Sequence, residues 1–327
     1  MADLIASARG KLLLFGEHAA VYGEPALGIS LPWTAVLRIT PLSAAQCPSY
    51  ASLPPLPAAL AAMLAELPPA AEVEVRSHIP IGLGFGSSAA LCVAAERALA
   101  AARRAEPPGA ATWRGAHERE KVFHGTPSGA DTGLAAHPGV GFLSWPGAAG
   151  GDAGLPRYES LSTSELHLVV AAVARRGDTR AQVAAVARRL RAGDGAAEDT
   201  LHRLGRCSRE ARALLLQPRM PATALGALAD AAHRLLAGVG LADPRQDRLL
   251  QAGRAAGACG GKLSGAGCGG ACYLVCRDAV SATHVLQAIR NQATVAGHVV
   301  AAGGNTRLAS PESRPASVSR WLYRGGR

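Results

Sequence analysis

The sequence predicts an α+β protein built in two halves, and three observations point there. Strand-like and helix-like pieces alternate through both halves of the 327 residues. Hydrophobic residues make up 49% against 18% charged, enough apolar surface to fill a large core at this length. A stretch rich in glycine and proline, Pro146 to Pro156, interrupts the pattern near the middle. A boundary near residue 163 therefore separates an N-terminal domain, 1–163, from a C-terminal domain, 164–327. The tail of the second, from about residue 310, is polar and arginine-rich, and order is expected there only around Trp321 to Tyr323.

Taken in order, Leu12 to Phe15 is an apolar run, while Ala35 to Thr40 and Glu72 to Ser77 alternate apolar and polar residues as half-buried strands do. An alanine-rich helix follows from Ser88 to Arg104 and is stopped by Pro107 and Pro108. A second helix, Thr112 to Phe123, stops at His124-Gly125. Leu166 to Ala174 is a strand, with helices around Thr179 to Arg191, Ala196 to Leu216 and Pro221 to Gly238. A glycine-rich loop, Gly260 to Gly270, a strand, Ala271 to Cys276, and a helix, Ala279 to Gln292, complete the pattern.

Several function classes fall away on composition. The apolar content excludes a mainly disordered chain. No run approaches the roughly 18 apolar residues of a membrane span. The first residues carry Asp3, Arg9 and Lys11 and do not read as a signal peptide, so a cytoplasmic protein is expected. The net charge is +10, yet only three of the 34 basic residues are lysines. Arginines such as Arg97, Arg103, Arg188 and Arg203 are spaced for solvated helix faces. With 4% aromatics there is no base-stacking array, so neither nucleic acid nor membrane is an expected partner. Cys268, Cys272 and Cys276 have no nearby histidine to complete a zinc site. They read as free thiols of a reducing compartment.

Four segments carry chemistry. The first is Ile79-Pro80-Ile81-Gly82-Leu83-Gly84-Phe85-Gly86-Ser87-Ser88, which opens directly into a helix. Alternate glycines let backbone N–H groups approach an oxyanion, and the helix N-terminus adds donors for phosphate. Ser87 or Ser88 could cap the helix or offer a hydroxyl to Mg²⁺; the plainer alternative is a capped strand-to-helix turn. The second is Gly10-Lys11 followed by an apolar run into Gly16-Glu17-His18, a polar cluster at a strand end. In the third, Glu120 ends a helix and a Gly/Pro turn presents Asp131 eleven positions later. Such carboxylates can divide metal holding from proton acceptance, or Asp131 can be the next helix's N-cap. The fourth, Gly260 to Gly270, contains Lys262, Ser264, Gly265 and Gly267 and requires only a close backbone approach.

In this order the four segments resemble the GHMP kinases, over Ala8 to about Cys276. Gly-Glu-His-Ala-x-Val-Tyr-Gly and His-Gly-x-Pro-Ser-Gly-x-Asp look like its mevalonate-phosphorylating branch. The resemblance implies a ribosomal-protein S5-like N-terminal domain and a ferredoxin-like C-terminal domain, with ATP and substrate between them. It places Asp131 on the catalytic base and Lys11 on its partner, and Ser88 and Glu120 on the Mg²⁺ ligands. Gly82, Leu83, Gly84, Phe85, Gly86, Ser87 and Ser88 fall on the ATP phosphate loop, and Ser77 on a nucleotide contact. Glu17, His18 and Thr179 fall near mevalonate, and Lys262, Ser264, Gly265 and Gly267 on a supporting third motif. Arg9 stands where proline is usual, Phe85 where leucine is, and Cys268 replaces a glycine. The activity implied is ATP-dependent phosphorylation of a primary alcohol, mevalonate before the substrates of related kinases such as phosphomevalonate. A non-catalytic sensor of the same fold would not need all of Lys11, Ser88, Glu120 and Asp131. The base rate for soluble enzymes favours a homodimer.

Overall fold

The computed structural model describes residues 2–43, 45–46, 52–54, 56–64, 70–103, 109–124, 127–145, 154–175, 179–303, 305–308 and 317–324. Within them two antiparallel sheets form, and the chain passes from one to the other between Leu161 and Leu166. In the first sheet β1 (Leu4–Phe15) runs along one edge of the long β2 (Ala26–Pro41). The other edge of β2 is shared by β3 (Ala70–Ser77) and β4 (Val140–Ser144), with β5 (Arg157–Leu161) beyond β4. The sequence pattern marks only the apolar end of β1. There Leu12, Leu13, Leu14 and Phe15 are all buried, so both faces are covered and alternation disappears.

A short helix, α1 (Ala58–Met63), precedes β3, and α2 (Ser87–Ala102), α3 (Gly109–His124) and α4 (Ala130–Ala136) follow it. The buried face of α2 is largely alanine, which lets the helix lie close against β1 and β2.

The second sheet is centred on β6 (Leu166–Val173), which is buried at every position. Four helices, α5 (Thr179–Arg191), α6 (Gly195–Leu215), α7 (Ala222–Gly238) and α8 (Pro244–Ala255), lead to the hairpin β7 (Gly260–Leu263) and β8 (Gly270–Cys276). Then come α9 (Ala279–Ile289), β9 (Val295–Ala302) and β10 (Asn305–Leu308), in the spatial order β10-β9-β6-β8-β7. Without β10 this is the ferredoxin-like arrangement the resemblance implies. The sequence reading omits α8, although its start is marked: Asp243 accepts from the Arg245 N–H, and Pro244 takes the first helical position.

Two expectations need correction. Gly260 to Gly270 is not one loop; it begins as β7, paired with β8 from Gly260↔Val275 to Leu263↔Cys272. Nor does the tail belong to the second domain. Residues 317–324 form β11 (Ser317–Arg324), which pairs with β3 from Ser317↔Ser77 to Arg324↔Ala70 in the first sheet. Leu322 is buried, Trp321 and Tyr323 pack against the core, and Arg320 reaches Glu74 at 2.5 Å. The apolar run Trp321 to Tyr323 and this ion pair outweigh the arginine-rich composition. Residues 309–316, and 146–153 of the expected linker, lie outside the described residues.

Buried hydrogen bonds join the sheets. Tyr273 Oη donates to the Leu14 carbonyl (2.8 Å), Ser264 Oγ to that of Leu13 (2.7 Å) and Thr306 Oγ1 to that of Ser30 (2.7 Å). Arg9 donates to Thr306, so the residue standing in for proline becomes another tie between sheets. The described cysteines are free thiols, Cys272 and Cys276 among them buried.

One polar pair in the second sheet is pH-sensitive. His298 is buried, its Nε2 lies 3.0 Å from His167 Nδ1, and desolvation, helped by His167, lowers its pKa from 6.5 to about 4. Between those values the unfolded chain binds more protons than the folded one, so stability rises with pH across that window. Acidification from pH 7 to 4.5 is expected to remove on the order of 2 kcal/mol through this group, screening included. Thermal melts of wild type and His298→Gln should show the variant losing that part of the slope; identical slopes would reject the assignment.

Candidate active site

A cavity of about 790 Å³ lies between the first sheet, the 82–88 segment, α3, α4, α5 and the turn after β7. The 82–88 segment enters it through Gly82, Gly84 and Gly86, whose φ values of +75°, +92° and +78° alternate with ordinary residues. That backbone turns successive N–H groups toward one concavity. Gly86 is itself the N-cap of α2, and neither Ser87 nor Ser88 caps the helix through its side chain. The helix start therefore presents its backbone donors and positive dipole end to the cavity. Phe85 anchors the segment from below, fully buried and edge-on to Trp33 at 5.0 Å. Its larger ring is thus accommodated where leucine is usual.

Lys11 crosses directly beneath this loop. Its N–H donates to the Phe85 carbonyl at 2.9 Å, and a Cβ at Gly86 would come within 2.5 Å of its Cγ. Glycine at 86 is therefore needed both for the left-handed turn and to let the lysine stem pass. The stem carries Nζ to 2.8 Å from Asp131 Oδ2. The ammonium is buried, with 5% of its side chain exposed, whereas Asp131 keeps 39% and opens on the cavity. Asp131 is not a cap: Gly129 occupies that position, and Asp131 is the second residue of α4. A carboxylate held in this way can accept a proton from a bound hydroxyl.

Glu120, on α3, faces the same point from the protein interior. It is 1% exposed, and its Oε2 has no hydrogen-bond partner. Burial first, and then the Asp131 charge, raise its pKa to about 8 against the pull of Lys11. A divalent cation would satisfy that oxygen and favour the ionised form. Among the described residues no cluster of three His, Cys, Asp or Glu could hold a metal alone. A cation here would need further oxygen donors, and Ser88, which lines the cavity with Glu120, offers one.

The remaining residues divide. Ser77 lines the cavity, and its Oγ also accepts from the Ile79 N–H at 3.1 Å. His18 lines it too, at φ +60°, with Nε2 3.1 Å from the Ala266 carbonyl and its pKa lowered by burial. Glu17 borders it as well, with its carboxylate held in a fully buried ion pair with Lys262. Lys262 also donates to the Leu263 carbonyl at 2.7 Å and lies over the rings of Phe15 and Tyr273. Burial raises the Glu17 pKa and lowers that of Lys262, each opposed by its partner. Lys262 and Ser264 thus bind the sheets together, while Gly265 borders the cavity and Gly267 turns beneath Leu241. Cys268 takes φ +54°, a conformation suited to the glycine it replaces. The Thr179 side chain lies outside the described residues.

Sequence reasoning missed Ser317, Ser319 and Trp321 of β11, and Val183, Ala187 and Arg191 along one face of α5. In α5 the signal was present as i, i+4 spacing, whereas the apolar run of β11, Trp321 to Tyr323, is consecutive and marks no face.

The chain is similar to known proteins in both sequence and fold. The model of the GHMP kinases N terminal domain matches residues 56–139, and that of the GHMP kinases C terminal domain matches 211–294. The chain is 30% identical over 292 residues to the mevalonate kinase of Methanothermobacter thermautotrophicus, covering 84% of this chain and 91% of that one. It is 29% identical over 306 residues to the mevalonate kinase of Pyrococcus horikoshii, covering 83% and 88%. In fold it is similar to the crystal structure of L. major mevalonate kinase in complex with R-mevalonate, with a TM-score of 0.74 at 20% identity over 93% of this chain and 97% of that one.

Proposed function

The chain belongs to the GHMP kinases, ATP-dependent enzymes acting on a hydroxyl group, and we propose that it phosphorylates the primary 5-hydroxyl of mevalonate to give 5-phosphomevalonate. The observation that carries the reaction is the Asp131–Lys11 pair, which opens on a cavity shared with the uncapped start of α2. The relatives named mevalonate kinase support the choice of substrate.

Asp131 accepts the proton of the 5-hydroxyl as its oxygen bonds to the γ-phosphorus of ATP. The bond from that phosphorus to the bridging oxygen breaks, and its electron pair leaves on ADP. Lys11 orients the carboxylate and sets positive charge beside the transferring group. Backbone N–H groups of the 82–88 segment and the α2 dipole hold the phosphates in line. Mg²⁺ held by Glu120 and the Ser88 hydroxyl would offset phosphate charge. Arg175 and Arg191, which line the same cavity, add positive charge suited to anionic substrates. Such catalysis is mainly positioning and electrostatics. His18 borders the acceptor end, and Glu17 supports it from below through Lys262.

An ADP-release assay with mevalonate, galactose, homoserine and phosphomevalonate tests this reading. Mevalonate should give the highest kcat/KM; a higher value for any other would overturn the substrate assignment. The metal role has its own check. Glu120→Gln should raise several-fold the Mg²⁺ concentration for half-maximal rate while the circular dichroism spectrum is retained. An unchanged Mg²⁺ requirement would reject Glu120 as a ligand.

A further inference from the structure

We propose that Trp321 is the platform on which the base of ATP stacks, so that β11 forms the nucleobase wall of the site; the inference rests on the nucleotide reading above. Strand alternation puts Ser317, Ser319 and Trp321 on one face of β11, and all three line the cavity. Ser317 pairs with Ser77 and Ser319 with Val75, so the wall continues into β3, just before the glycine-rich segment.

The charges of the cavity determine which way a nucleotide must lie. Its triphosphate belongs on the 82–88 segment, and the acceptor alcohol must meet Asp131. The base therefore points away from the charged end. The cavity offers it uncharged lining: Leu60 of α1, Val75 of β3, Leu91 of α2, Phe123 of α3 and Trp321. Apolar side chains suit a purine, and an indole suits its face.

Trp321 is also unlike its buried counterparts. Trp33 and Trp113 are 4% and 5% exposed and have edge-on ring partners. Trp321 is half-buried, packs against the core and borders the cavity, and no aromatic ring lies against it among the described residues. It is held firmly. All eight residues of β11 pair with β3, and on the other edge Leu322 exchanges backbone hydrogen bonds with Pro54 and Leu56.

The test compares ATP with inorganic tripolyphosphate, which has the phosphates and no base. In Trp321→Leu the Kd for ATP should weaken by about tenfold, the scale of one lost base–aromatic stack. The Kd for tripolyphosphate should stay within about twofold, because the phosphate segment is untouched. The KM for ATP should follow its Kd, and that for mevalonate should not. Trp321→Phe, which keeps a ring and most of the packing, should restore most of the ATP affinity. ATP should quench the tryptophan emission of the wild type and leave that of Trp321→Phe unquenched. Equal weakening of ATP and tripolyphosphate, an ATP Kd unchanged in Trp321→Leu, or quenching that persists in Trp321→Phe would each overturn the proposal. A wild-type protein that binds neither ligand would instead overturn the nucleotide reading.

Discussion

Asp131→Asn should lose at least a hundredfold in kcat while melting close to the wild type. Asparagine keeps an oxygen that can accept from Lys11 Nζ, and the α4 cap is Gly129, which the change does not touch. The stability cost is therefore about 1 kcal/mol, the loss of one charge near a helix start. Asparagine cannot take the hydroxyl proton, and loss of a general base is typically worth about 10²–10⁴ in rate. Lys11→Met should cost a similar factor. The double variant should fall well short of the product of the two losses, because the residues act as one unit. Single-turnover rates and melts on the same preparations decide it. More than about a tenth of wild-type kcat in Asp131→Asn would end the general-base assignment.

The largest stability effect is expected at Lys262. Lys262→Met leaves the Glu17 carboxylate fully buried without its counter-charge, a situation that typically costs about 3–5 kcal/mol. The deficit should depend on pH in a definite direction. Burial already holds the Glu17 pKa above its ordinary 4.5, and removing the ammonium raises it further. A carboxyl with a raised folded-state pKa binds more protons folded than unfolded, so the variant should recover stability as pH falls toward 4.5. Glu17→Gln combined with Lys262→Met removes both charges and should recover a large part of the loss. Denaturant melts at pH 7.5 and 5 measure this. A Lys262→Met protein within about 1 kcal/mol of wild type at pH 7.5 would show that the pair does not support the fold as described.

The chemistry of the site was legible where its logic is local. The glycines at 82, 84 and 86 precede a helix in the sequence and do so in space; their spacing leaves an anion-binding turn and a plain strand-to-helix turn both open, and all three take positive φ beside the cavity. Lys11 stands out as one of three lysines and Asp131 as a carboxylate just after a Gly/Pro turn, although only packing of α4 on β1 brings the two within 2.8 Å. Where partners are remote, residue type misleads. Lys262 sits among glycines and reads as part of a glycine-rich loop, yet its counter-charge is 245 positions away and both are buried. β11 looks like a polar tail because the edge it completes was laid down far earlier in the chain. Nothing near Trp321 in the sequence mentions the cavity it borders.

That distance matters while the protein is being made. Ser317 bonds to Ser77 across 240 positions, so during synthesis the outer edge of β3 must wait for nearly the whole chain to emerge. Until then it offers an unpaired row of N–H and C=O groups, the feature that lets strands of neighbouring chains pair. Such late, non-local closure makes folding slow compared with its helical parts. The nascent first half would therefore be a client for chaperones, and an enzyme stalled before β11 would be both inactive and adhesive.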